Sequence, residues 1–298
     1  MISRILVSGI SGPIGAALVP LLRSRGYELV RLARGQSTGK EQISWDPQQP
    51  VSPDSVSGFD AVIHLAGESI VGRWTVAKKT KIRDSRVVGT RNLAQALSEA
   101  KSKPQIFVCS SAIGYYGNRG DELLNENSAP GSGFLAEVCR DWEAATKPTI
   151  EAGIRTAQIR TGIVLSPRGG ALGKMLTPFK LGLGGRIGDG RQWMSWIDVR
   201  DMVGAILHIL KTDLLQGPVN MVAPKPVTNA VFTRTLAHVL SRPAMFPVPT
   251  FMVKSAFGEM GESLLLGSQR VEPARLVSTG YPFRFQDLRA SLQNMLQS

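Results

Sequence analysis

Short apolar runs alternate with longer segments of helical periodicity through the first two thirds of the chain. Five runs have the length and apolar content of buried strands: Ile5–Ser8, Leu29–Ala33, Ala61–Leu65, Gln105–Ser110 and Thr156–Arg160. Helical patterns lie between them at about 13–25, 86–100 and 134–151. Strands that alternate with helices across short loops predict a parallel sheet with helices on both faces. The pattern therefore predicts an α/β fold with a doubly wound parallel sheet.

The alternation ends near residue 165, and the rest of the chain has a different pattern. The segment Ser166–Arg191 is rich in glycine, which predicts loops with one short helix around Leu172–Leu181. The sequence then predicts an apolar helix at Met202–Leu210, a strand at Gly217–Val222 and helices near 228–240, 250–266 and 284–297. We expect two parts, a sheet domain of residues 1–165 with 196–223 and a smaller C-terminal lobe of 166–195 with 224–298.

A glycine-rich turn follows the first predicted strand. Gly9, Gly12 and Gly15 form a GxxGxxG pattern between that strand and the first helical pattern. Such a pattern is typical of a Rossmann-type dinucleotide-binding turn. Gly9 allows a tight turn, Gly12 lets the backbone approach a pyrophosphate, and Gly15 lets the helix pack against the strand. Pro13 suits the first helical position, and the free N–H groups of that turn would face the anion. The alternative is a structural glycine turn without a ligand.

The end of the second predicted strand bears on which nucleotide would bind. NAD-binding proteins usually carry Asp or Glu there, to accept hydrogen bonds from the ribose hydroxyls. Here the strand ends at Ala33 and Arg34, without an acid. A guanidinium can instead pair with a 2′-phosphate, so this position favours NADP(H) over NAD(H). The alternative for Arg34 is a solvated surface arginine.

The charge of the chain bears on its partners. The 298 residues include 35 Lys and Arg against 23 Asp and Glu, which gives a net charge of +12. The basic residues are scattered, apart from a dense stretch between Lys78 and Arg91, and no aromatic platform accompanies them. We therefore do not expect nucleic-acid binding, and we relate the charge to anionic ligands such as a phosphorylated cofactor.

Other classes of site are not indicated. Cys109 and Cys139 are neither in a CxxC pair nor near a group of histidines, so we expect free thiols, no metal site and a reducing compartment. The sequence has no run of about twenty apolar residues, so we expect no membrane span. These expectations point to the cytoplasm. Nothing in the sequence indicates an oligomeric state.

Several longer motifs together resemble one protein family. They cover nearly the whole chain: Trp45-Asp46-Pro47, Leu65-Ala66-Gly67-Glu68, Ser85-Arg86, Gly89-Thr90, Gly114-Tyr115-Tyr116-Gly117, Arg160-Thr161-Gly162-Ile163-Val164-Leu165, Gly169-Gly170-Ala171, Trp193-Met194-Ser195-Trp196-Ile197-Asp198 and Asn220-Met221-Val222-Ala223-Pro224. In these motifs the chain resembles the extended short-chain dehydrogenases/reductases, and more narrowly their atypical NADP-binding epimerase family, with its YfcH-like and SDR39U1-like members. The resemblance implies an NADP-binding Rossmann domain and a substrate-binding C-terminal lobe. It also implies oxidoreductase or nucleoside-sugar-epimerase-like activity on a small polar substrate.

The resemblance further implies which residues contact the cofactor. Gly9, Ser11, Gly12, Pro13 and Ile14 would hold the pyrophosphate, Ala33 and Arg34 would lie at the 2′-phosphate, Leu65 and Ala66 would line the adenosine ribose, Arg86 would be a cofactor-side arginine, and Val164 would lie near the nicotinamide. The alternative for Arg86 is a solvated helix charge.

The usual catalytic pair of these enzymes is missing. Most members use a tyrosine with a lysine four residues later, whose charge lowers the pKa of the phenol. The phenol can then pass a proton during hydride transfer. No YxxxK occurs in this chain. Where the pair should fall, the sequence has Phe134 or Leu135 for the tyrosine and Val138 or Cys139 for the lysine.

Nearby residues are candidates to replace this chemistry. Ser111, or Ala112 if the alignment shifts by one residue, could orient a substrate oxygen from the end of the fourth predicted strand. Tyr115 or Tyr116 could donate a proton from the following loop, with Arg119 as a nearby cation. The alternative is that Tyr116 belongs to a purely structural Tyr-Gly step.

Two functions therefore stay open. One is an NADP(H)-dependent oxidoreductase or epimerase, which the motifs of the family's cleft favour. The other is an NADPH-binding sensor or partner-binding protein with weak or no turnover, which the missing Tyr–Lys pair favours.

Overall fold

The computed structural model describes residues 2–35, 39 and 41–297. Its strands are β1 (Arg4–Ser8), β2 (Glu28–Ala33), β3 (Gln42–Ser44), β4 (Ala61–His64), β5 (Ile106–Ala112), β6 (Leu123–Leu124), β7 (Arg155–Thr161), β8 (Ile163–Leu165), β9 (Trp193–Met194), β10 (Trp196–Asp198), β11 (Gly217–Met221), β12 (Val227–Thr228) and β13 (Arg270–Val271). Its helices are α1 (Pro13–Ser24), α2 (Val76–Glu99), α3 (Phe134–Ala144), α4 (Lys147–Glu151), α5 (Gly170–Lys180), α6 (Val199–Lys211), α7 (Asn229–Leu240), α8 (Thr250–Phe257), α9 (Glu259–Leu264), α10 (Ala274–Ser278) and α11 (Leu288–Leu296).

Seven strands form one sheet in the order β11-β7-β5-β4-β1-β2-β3, and every neighbouring pair is parallel. The chain builds outward from β1 to β3 and then returns to the other side of β1 with β4. This reversal is the topological switch point of a doubly wound sheet, where ligands bind beyond the carboxyl ends of the strands. The predicted Rossmann-type α/β fold is therefore confirmed.

Helices cover both faces of the sheet because its strands are apolar on both sides. On one face, α1 and α6 pack together through residues such as Leu18 and Ile206. On the other face, α2 packs against α3 and α4, with Leu93 and Trp142 among the buried residues. The sheet thus separates two apolar cores.

A third core lies beyond the sheet. It contains side chains of α5, α7 and α11 together with β8 and β10, and its largest members are Phe179, Trp196 and Phe232. These helices come from the ranges predicted for the smaller lobe, whose boundaries stay a prediction. Among the helices of the described ranges, none is long and apolar enough to cross a membrane.

Some predicted helix bounds are wrong, each for a local reason. Helix α2 begins ten residues earlier than predicted, because the Thr75 hydroxyl accepts a hydrogen bond from Lys78 N and caps the helix there. The helix predicted at 134–151 is two helices, since Pro148 disfavours a continuous helix at that point. The helix predicted at 250–266 is also interrupted, at Gly258, where φ is +57°.

Candidate functional site

The glycine turn lies at the switch point of the sheet. Gly9 follows β1, with φ of +72°, and faces the backbone that leaves β4. A Cβ at this position would lie 2.5 Å from the carbonyl carbon of Leu65 and 2.7 Å from Ala66 N. Only glycine fits here, because the conformation is left-handed and the nearest atoms belong to backbone. The two loops that would hold a dinucleotide are therefore in direct contact.

The other two glycines of the turn have different surroundings. Gly12 is the N-cap of α1, and its N–H donates to Gly9 O at 3.2 Å. A Cβ at Gly15 would lie 2.5 Å from both Gly9 O and Ile10 Cα, so α1 touches the turn itself at this residue rather than the strand. No side chain caps α1, and Pro13 is its first residue. The first-turn N–H groups of α1 therefore remain available to an anion.

Two buried polar side chains, Ser8 and His64, hold the loop after β4 in place through hydrogen bonds. The Ser8 hydroxyl accepts hydrogen bonds from Leu65 N at 3.2 Å and from Ala66 N at 3.3 Å. It lies 2.7 Å from His64 Nδ1, to which its remaining proton can be donated. His64 is fully buried, and burial lowers its pKa from 6.5 to about 4. A neutral imidazole therefore supports the loop predicted to line the adenosine ribose.

At the end of the site predicted to hold the adenosine, the carboxylate of Glu68 pairs with Lys78. Arg34 follows β2 and is exposed, next to Ala33 at the end of the strand. The pKa of Glu68 is lowered, chiefly by a hydrogen bond from Lys78 and further by the charges of Lys78, Lys81 and Arg34. The Lys78 Nζ lies 2.6 Å from Glu68 Oε1. The ion pair of Lys78 and Glu68 therefore lies in the region where a 2′-phosphate was predicted, and the charges of Lys81 and Arg34 act on the same carboxylate.

Arg86 contacts the loop after β4 that contains Glu68, so it is not a solvated helix charge. Its guanidinium donates to Glu68 O at 2.9 Å and lies over the Trp142 ring, 5.1 Å from the ring centroid. Gly67 leaves room for it, since a Cβ there would lie 3.3 Å from Arg86 Cζ. Burial lowers the pKa of Arg86 from its usual value. The residue therefore supports the loop after Ala66 and adds a positive charge to this side of the cleft.

Apolar side chains mark the opposite end of the site. Val164 lies in β8, where it pairs with Ile197 of β10. Val164, Leu65, Ile10 and Ile14 are all partly buried against the same core. They bring the turn, the loop after β4 and the segment after β7 to one edge of the sheet. The predicted nicotinamide position of Val164 lies on this edge.

Ser111 is part of a buried charged network. Its hydroxyl donates to Glu143 Oε1 at 2.7 Å. Glu143 also accepts two hydrogen bonds from Arg160, from Nε at 2.8 Å and from Nη2 at 2.8 Å. Burial disfavours the charged form of Arg160, but the bonds to Glu143 outweigh it and raise its pKa. The predicted substrate-orienting hydroxyl of Ser111 is thus already engaged by protein.

Tyr116 belongs to the same network and has no exposed surface. Its hydroxyl donates to Asn220 Oδ1 at 2.7 Å and accepts from Arg160 Nη1 at 3.0 Å. Burial raises the pKa of Tyr116 to about 12. This geometry argues against the proton-donor role predicted for Tyr116, because a donor must reach the substrate.

Tyr115 is placed differently from its neighbour. It is half-buried, and within the described part of the chain its hydroxyl has no hydrogen-bond partner. The Arg160 guanidinium lies over its ring, with Cζ 3.5 Å from the ring centroid. Arg119, the cation predicted to act beside the tyrosines, instead pairs with Glu122 at 2.6 Å. Arg160, which the sequence did not single out for this position, is therefore the cation found at the Tyr115 ring.

Apolar packing fills the positions of the missing Tyr–Lys pair. Phe134 and Leu135 pack against a cluster of Trp74, Ile82 and Met260, and the Phe134 and Trp74 rings meet edge to face at 5.2 Å. Val138 and Cys139 of the same helix are buried, and burial raises the pKa of the Cys139 thiol to about 12. No residue at these positions can supply the usual phenol and ammonium.

Sequence reasoning missed most members of the buried network. Arg160 was visible as a charge at the end of a predicted buried strand, which was a signal for a buried ion pair. Glu143 and Asn220 gave no such signal. Within the described ranges, no three His, Cys, Asp or Glu side chains lie close enough together to hold a metal ion.

Comparison with known sequences gives family matches over most of the chain. Residues 5–221 match the NAD dependent epimerase/dehydratase family, and residues 248–295 match a domain of unknown function, DUF1731. The epimerase family protein Mb2239 of Mycobacterium bovis is 39% identical over 290 residues, which cover 97% of this chain and 96% of that protein. The epimerase family protein SDR39U1 of Bos taurus is 38% identical over 298 residues, which cover 98% of this chain and 99% of that protein.

Comparison with solved structures gives the same result. The crystal structure of human epimerase family protein SDR39U1 with NADPH has a TM-score of 0.92 and 36% identity, over 99% of both chains. The nucleoside-diphosphate sugar epimerase of Corynebacterium glutamicum has a TM-score of 0.83 and 37% identity, over 99% of this chain and 58% of that one. UDP-glucose 4-epimerase of Thermus thermophilus with NAD shares the fold, with a TM-score of 0.76, 19% identity and coverage of 99% and 98%.

Proposed function

Because the chain belongs to the NAD dependent epimerase/dehydratase family, we propose that it binds NADP(H) and acts as an oxidoreductase or nucleoside-sugar-epimerase-like enzyme on a small polar substrate. The observation that carries the cofactor assignment is Arg34 at the end of β2, where an acid would select NAD(H). The charges of Lys78 and Lys81 act on the same carboxylate, Glu68, as that of Arg34 does, and they support the same assignment. The related human protein was crystallised with NADPH.

The described geometry supports one path for the cofactor across the carboxyl edge of the sheet. The 2′-phosphate would meet Arg34, and the adenosine ribose would lie against Leu65 and Ala66. The pyrophosphate would approach the turn at Gly9–Ile14 and the first turn of α1. The nicotinamide would then lie near Val164, at the end of the site that faces the smaller lobe.

For the chemistry, we propose Tyr115 as the proton donor. Bound NADP(H) would supply or accept the hydride. Of Ser111, Tyr115 and Tyr116, only Tyr115 is both partly exposed and free of a hydroxyl partner in the described ranges. The Arg160 guanidinium, which lies against the face of the Tyr115 ring, fixes the orientation of the phenol. Ser111 would then act indirectly, by holding Glu143 against Arg160.

The cofactor assignment is tested by titrating the purified protein with NADPH and with NADH. We expect NADPH to bind more tightly, because only NADPH has the 2′-phosphate. Arg34→Ala should weaken NADPH binding by about 10-fold or more and leave NADH binding unchanged, since a hydrogen bond between charged groups contributes about 1.5–3 kcal/mol. Arg25→Ala is the matched control, because it removes the same charge from an exposed position at the far end of α1. Equal loss for both nucleotides would contradict the 2′-phosphate assignment.

The chemical role of Tyr115 has a control in the next residue. We expect Tyr115→Phe to abolish turnover of any substrate found, followed as NADPH consumption for small carbonyl compounds and as the epimer formed for nucleoside-diphosphate sugars, while NADPH still binds. Tyr116→Phe should lower stability by about 1–3 kcal/mol, since it leaves buried partners unpaired, and should keep turnover below the melting temperature. Turnover that survives in Tyr115→Phe would rule out this phenol as the donor.

The second candidate is an NADPH-binding sensor with weak or no turnover. The observation that favours it is the apolar packing of Phe134 and Leu135 at the missing tyrosine position. The two candidates differ in the same screen, because a sensor binds NADPH and turns over none of the compounds. Two buried free thiols, Cys109 and Cys139, fit a reducing compartment. For either candidate function we therefore propose that the protein is located in the cytoplasm.

A further inference from the structure

A cavity of about 370 Å³ opens beside the glycine turn, on the side of α1 that faces the C-terminal residues. Its walls come from the first residues of α1 and α6, from the segment after β8, and from the end of α11. Ser11 and Pro13 of the turn line it on one side, and Ser166 and Arg168 line it on the other. The turn predicted to hold the pyrophosphate therefore shares a cavity with residues not yet assigned to the cofactor.

Two arginines reach this cavity, but only one is free to bind a ligand. Arg200 is engaged by Asp198, from Nε to Oδ1 at 2.8 Å and from Nη2 to Oδ2 at 2.7 Å. It also lies over the Phe285 ring, 4.2 Å from the centroid. The guanidinium of Arg168 is exposed and has no partner among residues 2–35, 39 and 41–297. Of the two arginines at this cavity, Arg168 is thus the one whose charge is not paired by any residue of the described ranges.

The backbone holds Arg168 close to the turn. Its N–H donates to Ser166 Oγ at 3.3 Å, which fixes the bend after β8. Gly169 comes next, and a Cβ there would lie 3.6 Å from Pro13 Cγ. The segment after β8 therefore passes directly over the first residue of α1. Strand β8, which precedes this segment, holds Val164 on the edge proposed for the nicotinamide.

We infer that Arg168 binds the pyrophosphate of NADP(H) from the side opposite the N–H groups of α1, an inference that rests on the proposed cofactor. A guanidinium pairs with two phosphate oxygens at once, which a lysine cannot do in the same geometry. The α1 N-terminus and Arg168 would then neutralise the diphosphate from two directions. Strand β8 would contact the cofactor at Val164, and the segment after it would contact the cofactor at Arg168.

The proposed role of Arg168 predicts a different pattern of lost nucleotide affinity from the role of Arg34. The pyrophosphate is common to NADPH and NADH, so Arg168→Ala should weaken the binding of both by the same factor, about 10-fold to 100-fold. Adenosine 2′-monophosphate carries the 2′-phosphate and no pyrophosphate. Its binding should be unchanged by Arg168→Ala and weakened by Arg34→Ala.

The experiment is a titration of the full chain and its variants with these three nucleotides. Lys174→Ala is the matched control, because it removes one exposed positive charge from the following helix and should leave all three affinities unchanged. Arg168→Lys should keep only part of the affinity, since a lysine restores the charge without the paired geometry. The melting temperature without nucleotide should be the same in every variant.

The outcomes separate this inference from the proposed function. If wild-type protein binds neither NADPH nor NADH, the proposed cofactor is wrong and the role of Arg168 is wrong with it. If wild-type protein binds NADPH and Arg168→Ala binds both nucleotides as well as wild type, only the role of Arg168 is overturned. Loss of NADPH binding alone would place Arg168 at the 2′-phosphate and would also overturn the inference.

Discussion

Arg160 keeps its charge inside the protein because its bonds are nearly complete. The side chain is 3% exposed, and the Glu143 carboxylate and the Tyr116 hydroxyl accept hydrogen bonds from it. Removing one partner from a buried ion pair costs about 3–5 kcal/mol, because the other charge stays buried. The network therefore fixes β7 against α3 and holds the ring of Tyr115 in one orientation.

At the residue scale, His64 gives the protein a pH dependence. Its pKa is about 4 in the folded protein and 6.5 in an unfolded chain, so the unfolded state binds more protons between these values. The free energy of unfolding should then fall as pH falls through this window, by roughly 3 kcal/mol in total, and stay flat above it. His64→Asn should remove this part of the dependence, since its amide oxygen can still accept from Ser8. Urea unfolding at several pH values measures it, and parallel pH profiles would contradict it.

The residues of the site differ in how far the sequence could predict them. The tight turn at Gly9 was predictable because it depends on backbone shape at one position along the chain, whereas the role of Arg34 at a 2′-phosphate stays a prediction. The bond between Arg160 and Glu143 was not, since the two residues are brought together only by the packing of α3 on the sheet. Whether Tyr115 or Tyr116 faces the cleft was equally undetermined, because the loop conformation decides it.

At the element scale, alanine substitutions at Gly15 and Gly12 should have different effects. The first should disturb the packing of α1, and the second should weaken cofactor binding. Gly15→Ala gains about 1 kcal/mol of helix propensity, but its Cβ would lie 2.5 Å from backbone atoms of the turn, so α1 must move. We expect a net loss of roughly 1–3 kcal/mol in the free energy of unfolding. At Gly12 the nearest atom, Gly9 O, would be 3.4 Å from a Cβ, so Gly12→Ala should fold normally.

The two variants should therefore respond differently in two measurements. Gly12→Ala should keep its melting temperature and bind NADPH at least about 10-fold more weakly, since its methyl group would stand where the pyrophosphate approaches. Gly15→Ala should lose melting temperature even without nucleotide. The same melting temperature in both variants would show that α1 tolerates a methyl group at the turn.

Elements were predictable where apolar periodicity is strong. All five strands predicted in the first two thirds of the chain exist, as do β11 and α6. Strand β3 was not predicted, because its three residues are too short to show a period. The start of α2 was missed since the apolar pattern is weak there and the Thr75 cap is a single-residue signal.

At the scale of the whole molecule, Asp201 ties the C-terminal segment 281–297 to the sheet domain. Its buried carboxylate accepts from Arg284 N at 2.8 Å and from Phe285 N at 2.9 Å, while the Tyr281 hydroxyl lies 2.9 Å from the backbone oxygen of Asp201 and 3.2 Å from its Oδ1. Burial raises the pKa of Asp201 despite these bonds. Asp201→Ala should cost about 2 kcal/mol or more, because the backbone N–H groups of Arg284 and Phe285 lose their acceptor, while Tyr281 keeps the backbone oxygen of residue 201.

Limited trypsin digestion measures the release of that segment. We expect cleavage after Arg284 to be much faster in Asp201→Ala than in wild type. Asp287→Ala is the control, since it removes only the N-cap of α11, worth about 1 kcal/mol. If both variants are cleaved at the same rate, the segment is held by α11 and not by Asp201.

The position of β11 determines when the sheet can be completed. It is an outermost strand of the sheet and pairs with β7, yet β8, α5, β9, β10 and α6 lie between the two in the chain. During synthesis, β7 therefore has an unpaired edge until residue 221 has left the ribosome, and such edges invite pairing with other chains. The nascent protein passes through a stage in which its Rossmann sheet is open on one side. Chains that stop before Gly217 keep that edge and are expected to aggregate rather than to fold as a shorter domain.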